Sequence, residues 1–301
     1  MTISKPLLGG IELGGTKCVC VIGTGPDDIR ARIAVPTRND PDATLRHVEE
    51  VLRNGTSIHG PIAALGIASF GPLDVDPQSA AYGSITSTAK PGWDHTPIVA
   101  RFRRAFPVPI GFDTDVNGAA VAEGRWGAAR GLNDFAYVTV GTGVGVGLVV
   151  GGHSIRSFTH SELGHIRIAR RSADTFAGSC PFHGDCVEGL ASGAAVASRT
   201  GVPAEQVPTD DPVWEHVAHA LAQLLHTLVL TTAPRRFLIG GGVASARPEI
   251  LPRVRRLLVE SINGYLDLDR LTGGIDEYVV APGLGILAGP LGALALAADA
   301  V

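Results

Sequence analysis

Apolar residues recur along this chain in two rhythms, one of short continuous runs and one of helical spacing. Runs of strand length stand at Leu7 to Glu12, Cys18 to Ile22 and Ile29 to Val35. Leu13-Gly14-Gly15-Thr16-Lys17 separates the first pair and Gly23 to Asp28 the second, so the chain opens on a β-hairpin with a glycine bend. After Asn39-Asp40-Pro41, residues Leu45, Val48 and Leu52 keep helical spacing, and Ile62 to Ala68 reads as a buried strand. Thr96-Pro97 is an N-cap and first-turn pair for a helix presenting Ile98, Val99, Phe102 and Phe106, ended by Pro107 before the strand Val108 to Phe112.

An Ala-rich helix from about Val116 leads into a second strand, glycine turn and strand: Phe135 to Val140, Gly141-Thr142-Gly143-Val144-Gly145, and Val146 to Val150. Two hairpins with glycine turns, each opening a mixed α/β segment, suggest a duplicated domain whose turns can face one ligand from opposite sides. Val213, Val217, Leu221, Leu224 and Leu228 trace a long helix, Phe237 to Ile239 a strand and Ile250 to Leu266 another helix. Val279 to Ala298 carries no charge and has the ~20 residues a bilayer span needs. Pro282, Pro290 and the glycines at 283, 285, 289 and 292 divide it, so it is read as a buried strand feeding an Ala/Leu-rich helix.

The length, 301 residues, exceeds the usual span of one hydrophobic core, which predicts two α/β domains with an interdomain cleft open to a ligand. The division is set at 1–112 and 113–301, the last helix being a candidate to pack back on the first domain. A net charge of -4 without a basic run gives nucleic-acid binding little support and favours a small-molecule partner. Residues 1–11 are too short and too broken by Lys5-Pro6 and Gly9-Gly10 for a secretory signal, so the expected location is cytoplasmic, with no membrane partner.

Glycine-rich turns allow backbone N–H groups to approach phosphate oxygens, so Gly14-Gly15-Thr16-Lys17 and Gly141 to Gly145 are each candidate phosphate cradles or plain hairpin turns. Neither has P-loop spacing. Gly240-Gly241-Gly242 ends a strand where a nucleotide could lie close to the backbone, or is a tight strand-to-helix turn. Asp113-Thr114-Asp115-Val116-Asn117 puts carboxylates at a helix start, where they serve as a cap or as a base for a sugar hydroxyl. His165, Cys180, His183 and Cys186 supply the four donors of a closed tetrahedral zinc site, against which stand a Cys180–Cys186 disulfide or four unrelated residues. Cys18 and Cys20, alternating on a strand, are core or near-core residues.

Taken together, the segments from Ile11-Glu-Leu-Gly-Gly-Thr-Lys to Ile239-Gly-Gly-Gly-Val resemble the ROK sugar kinases. Between them, in family order, lie Ser69-Phe-Gly-Pro, Thr88-Ala-Lys-Pro-Gly-Trp, Asp113-Thr-Asp-Val-Asn, Trp126-Gly-Ala-Ala, Glu162-Leu-Gly-His-Ile-Arg-Ile and Cys180-Pro-Phe-His-Gly-Asp-Cys-Val-Glu-Gly-Leu-Ala-Ser-Gly. The resemblance implies a two-domain actin-like fold, ribonuclease H-like and of hexokinase type, which phosphorylates a hexose with MgATP and forms a homodimer.

It further implies Asp115 as catalytic base, Gly71, Glu162, His165 and Glu188 as sugar contacts, and Gly14, Gly15, Thr16, Lys17, Thr142 and Gly143 around the ATP phosphates. Gly241 and Gly242 would lie on the adenosine side, Glu12 near Mg2+, and His165 would serve both Zn2+ and sugar. Glu12 in place of the usual Asp, Thr114 in place of Asn, and Cys-x2-His-x2-Cys in place of a three-cysteine loop resemble the fructokinase branch. The expected substrate is therefore D-fructose, the alternatives being a broader mannose or glucose kinase and a non-catalytic ROK-type sugar sensor. The sensor is disfavoured because the first glycine turn starts at Gly14, which leaves no space before it for a helix-turn-helix. A zinc hydrolase is disfavoured because four protein ligands leave no open metal position.

Overall fold

The structure is a computed structural model and describes residues 5–172, 174–267 and 269–301. The described residues form two compact units: residues 5–130 with Ser154–Ser161 and Ile286–Val301, and Gly131–His153 with Glu162–Gly285. The first contains β1 Leu8–Leu13, β2 Lys17–Gly25, β3 Asp28–Pro36, α1 Pro41–His59, β4 Ala64–Ser69, α2 Ile98–Ala105, β5 Ile110–Thr114 and α3 Asp115–Trp126. In the second are β6 Phe135–Val140, β7 Val144–Val150, α4 Val187–Ala191, α5 Gly193–Thr200, α6 Val213–Thr231, β9 Phe237–Gly240, α7 Gly241–Ala246, α8 Ile250–Ile262, α9 Asp269–Thr272, α10 Ile275–Tyr278 and β10 Val279–Val280. The two-residue β8, His153–Ser154, closes the edge of its sheet, and the last helix, α11 Ala288–Ala300, returns to the first unit. A division between 112 and 113 would cut β5, which pairs with β4; α3 then follows and packs on α11, so the first unit runs on to residue 130.

The two sheets share one topology. The first has strand order β3-β2-β1-β4-β5, with β1 antiparallel to β2 and parallel to β4. The second has order β10-β9-β6-β7-β8, with β6 antiparallel to β7 and parallel to β9. Matched strand for strand, the second sheet repeats the first, which is the duplication the paired hairpins suggested.

Local signals explain most boundaries. Asp40 caps α1 by accepting from Ala43 N at 3.0 Å, with Pro41 as the first helical residue. Leu45, Val48 and Leu52 are buried on one face of that helix. At α2 the cap is Pro97 and not Thr96, whose hydroxyl instead donates to the Trp93 carbonyl at 2.7 Å. Helix α8 stops at Ile262, short of Leu266, because Asn263 takes a left-handed conformation at φ 51 and ends the hydrogen-bond ladder. The second core centres on α6, whose Val217, Leu221, Leu224 and Leu228 are all buried.

The uncharged tail is apolar because most of α11 is buried. Nine of its residues are buried, and among the described residues no helix is long and apolar enough to cross a membrane. Gly10, Gly66 and Gly111 stand in register on β1, β4 and β5. Side chains at these three positions would strike Ala293, Leu294, Leu296 and Ala297 of α11. Helix α3 meets the other flank of α11 where Gly118 faces Gly292. Replacing Gly66 with Ala should lower unfolding stability by about 1–3 kcal/mol, because the new methyl meets the Ala293 carbonyl and the Ala297 amide. Gly15→Ala, with nothing within 4 Å, is the control, and the two variants are compared by denaturant unfolding.

Candidate active site

Parallel pairing in the first unit brings three predicted segments to one end of one sheet. Leu13, Ser69 and Thr114 are register partners on β1, β4 and β5, so the turns that follow them leave the sheet side by side. The first turn is Gly14 to Thr16, closed by Gly14 N donating to the Lys17 carbonyl at 3.1 Å. Thr37 holds it from below, donating through Oγ1 to the Gly14 carbonyl at 2.7 Å and through its N–H to the Thr16 carbonyl at 2.9 Å. Gly15, Thr16 and Lys17 are exposed, as a ligand-binding turn requires.

Glu12 precedes this turn on the sheet face that carries Gly10. Its carboxylate lies against Gly289 at the start of α11, in space that a Cβ would occupy. Burial holds the Glu12 carboxyl above the usual carboxylate range, with Lys17 pulling the other way. Oxygen donors of this kind suit Mg2+.

The second segment is Phe70-Gly71-Pro72-Leu73, anchored where Phe70 N donates to the Leu13 carbonyl and where Thr86 N and Oγ1 donate to the Pro72 carbonyl at 2.8 and 3.1 Å. The third is the start of α3. Thr114 Oγ1 is the cap, accepting from Asn117 N at 3.1 Å, so capping does not account for the two aspartates. Asp113 is 1% exposed and accepts from Thr114 N, Asn117 Nδ2 and Ser154 Oγ at 2.8, 2.8 and 2.9 Å, with Arg156 3.9 Å away. Asp115 is the first residue of α3, partly exposed, its Oδ1 accepting from Val116 N at 2.8 Å.

The second unit assembles its own group. Gly141 N donates to the Gly143 carbonyl at 2.9 Å, leaving Thr142 exposed at the tip of the turn. Glu188, on α4, accepts from Val144 N at 3.1 Å and lies where a side chain at 143 would go. Gly240 is the register partner of Thr139, so Gly241 and Gly242 emerge beside the 141–143 turn. Gly241 has φ 87 and its Cβ would meet Thr139 Oγ1 and Val140 N at 2.5 Å, whereas Gly242 faces open space. Glu162 is exposed and precedes the short turn Leu163–His165.

His165, Cys180, His183 and Cys186 converge, their donor atoms lying within 4.8 Å of one another. His165 Nδ1 is 3.6 Å from both sulfurs and 3.3 Å from His183 Nδ1, and Cys180 Sγ is 3.7 Å from His183 Nδ1. A tetrahedral zinc shell with ordinary Zn–S and Zn–N lengths has edges of about 3.6 Å between nitrogen and sulfur and about 3.3 Å between nitrogens. The four residues therefore fit that ion, and both cysteines are free thiols. His165 turns its other nitrogen, Nε2, toward Glu188 Oε1 at 4.0 Å. Ion pairs lash the loop in place: Arg167 and Arg170 to Asp185, and Arg199 to Asp174 at 2.7 Å. Cys18 and Cys20 are buried thiols pushed up to about 11 and about 12, chiefly by burial, and belong to the first core.

Residues 8–300 match the ROK family. The chain belongs to it. A fructokinase of Pediococcus pentosaceus is 39% identical over 98% of this chain and 99% of its own length, and a fructokinase of Zymomonas mobilis is 39% identical over 99% and 98%. Among solved structures, a ROK glucokinase of Streptomyces griseus in complex with glucose and AMPPNP is similar at a TM-score of 0.74 and 25% identity, covering 97% of this chain and 99% of that one.

Three features of this ROK protein have no counterpart in its motifs and come from the fold: Gly289 beneath Glu12, the Ser154 and Arg156 contacts on Asp113, and the buried His160. Each is a meeting of residues far apart in the chain, and none carries a local mark. Gly289→Ala should leave the melting temperature unchanged or slightly raised, since Ala is the better helix former by about 1 kcal/mol and the nearest atoms the new methyl meets are the flexible end of Glu12. A clear fall in thermal unfolding would show instead that the seat of Glu12 supports the fold.

Proposed function

We propose that this chain is a fructokinase, transferring the γ-phosphoryl group of ATP to D-fructose to give fructose 6-phosphate. The observation that carries this is the 39% identity to two fructokinases over nearly the full length of each. Thr114 supports it: the residue is 4% exposed and its hydroxyl is committed to capping α3, so it offers no amide to a sugar, in contrast to the usual pattern of the family.

Phosphoryl transfer asks a protein for positioning, charge neutralisation and one well-placed acceptor. Asp115 is the acceptor. Its carboxylate takes the proton of the attacking hydroxyl, and its place as first residue of α3, behind the Thr114 cap and the buried Asp113, restricts its motion. Gly14, Gly15, Thr16 and Lys17, with Thr142 and Gly143, hold the phosphates, and Gly241 and Gly242 the adenosine side. Glu12 would hold Mg2+, which supplies neutralisation of phosphate charge when bound.

Gly71, Glu162, His165 and Glu188 contact the hexose. His165 serves both roles because its two ring nitrogens point to different neighbours, Nδ1 to the thiols and Nε2 to Glu188. His165, Cys180, His183 and Cys186 would hold Zn2+, which would fasten the loop that leads into α4 and carries Glu188. The expected setting is a cytoplasmic homodimer.

In an ADP-coupled assay over fructose, mannose and glucose, fructose should give the highest kcat/KM, and a higher value for glucose would overturn the assignment. Asp115→Asn should lower kcat by about 10²–10⁴-fold with the fold intact. Turnover within a factor of two of the parent would remove Asp115 from the chemistry. Freshly purified protein should carry one zinc per chain by elemental analysis, and Cys180→Ser or Cys186→Ser should lose it and lower the melting temperature.

A further inference from the structure

The segment Ser154–Ser161 leaves the second unit's run of sequence and packs as part of the first. It is held at both ends by side chains. At one end Ser154 Oγ donates to Asp113 Oδ2 at 2.9 Å and Arg156 lies 3.9 Å from the same carboxylate. At the other, Leu73 N donates to His160 Nε2 at 2.9 Å, a bond between residues 87 positions apart. His160 is 5% exposed, so this imidazole was taken out of water to make that bond. Because Nε2 accepts, the ring proton sits on Nδ1, and Nδ1 has the Ser161 carbonyl at 3.3 Å as its acceptor. The ring also lies on Gly71, where a Cβ would come within 3.4 Å of both Cε1 and Nε2.

We propose that His160 is a positioning residue for the hexose. It shapes the Gly71-Pro72-Leu73 turn from one side while Thr86 grips the Pro72 carbonyl from the other, and it stands two residues before Glu162 in the chain. The proposal rests on the sugar-kinase function proposed for this chain. No other side chain among the described residues is shown bonding to Leu73 N, so deleting the imidazole leaves a buried N–H without its acceptor, and the turn must move to satisfy it. Movement there costs sugar binding, because hydroxyl recognition depends on contacts of fixed geometry. The first glycine turn is held by Thr37, and the second by Gly141 N donating to the Gly143 carbonyl.

The test uses the full-length enzyme with His160→Ala and His160→Gln, the glutamine placing an amide oxygen close to where Nε2 accepts. His160→Ala should raise the KM for fructose about tenfold or more while the KM for ATP stays within about twofold, and His160→Gln should recover most of the loss. In the apo protein, hydrogen exchange at the Leu73 amide should quicken about tenfold or more in His160→Ala and return toward the parent rate in His160→Gln. Unchanged Leu73 exchange in His160→Ala, or fructose and ATP constants rising together in both variants, would overturn the proposal. If His160→Ala fails to fold, the glutamine variant decides: parent-like exchange and fructose KM support the role, and loss of both refutes it. Parent enzyme that phosphorylates no hexose would sink the kinase reading itself, whereas an active parent with an undiminished alanine variant would sink only this assignment.

Discussion

The first unit is organised around the absence of side chains at three aligned positions on three neighbouring strands. Gly10, Gly66 and Gly111 make a trench in which the backbone of α11 lies against the sheet, closer than any side chain would allow. Small residues on the helix complete the fit, and Gly292 against Gly118 gives α3 the same close approach from the other flank. Packing at this distance gains dispersion contacts along the whole helix. It also sets α11 deep enough that its first turn reaches Glu12, one pleat beyond Gly10.

That register has a chemical consequence. Strands paired in parallel end together, so Leu13, Ser69 and Thr114 finish at one edge and release a glycine turn, the Phe70–Leu73 turn and the start of α3 side by side. The second unit repeats the scheme with the 141–143 turn and Gly241 at the ends of β6 and β9. Duplicated topology thus gives two similar platforms that are finished differently, one with aspartates at a helix start and one with a Cys/His loop feeding Glu188.

Several buried polar groups among the described residues shape those platforms. Asp113 takes three hydrogen bonds and leaves Asp115 as the partly exposed carboxylate of the pair. Thr114 caps α3, Thr37 props the first glycine turn, and Glu188 receives Val144 N beside the second. Buried donors and acceptors are costly when unpaired, so the bonds made by Asp113, Thr114 and Thr37 fix their turns more firmly than apolar packing alone would.

The hairpins, the helical faces of α1 and α6, the glycine turns, the Asp113–Asn117 segment and the four Cys/His donors are all legible in the linear pattern, because period, cap and ligand spacing are local properties. Locality also explains where that pattern misleads: Thr96 has the marks of a cap but bonds to Trp93, and apolar spacing carries α8 past an Asn263 that only the backbone shows to be left-handed. The alignment of Gly10 with Gly66 and Gly111, the Gly289 seat of Glu12, and the His160 bond to Leu73 were decided by tertiary structure. Each joins residues from separate segments, and a glycine or histidine looks the same in sequence whether it meets solvent or the backbone of another element. Which atoms come within contact distance depends on strand register and helix depth, and those are set by the packing of the whole unit.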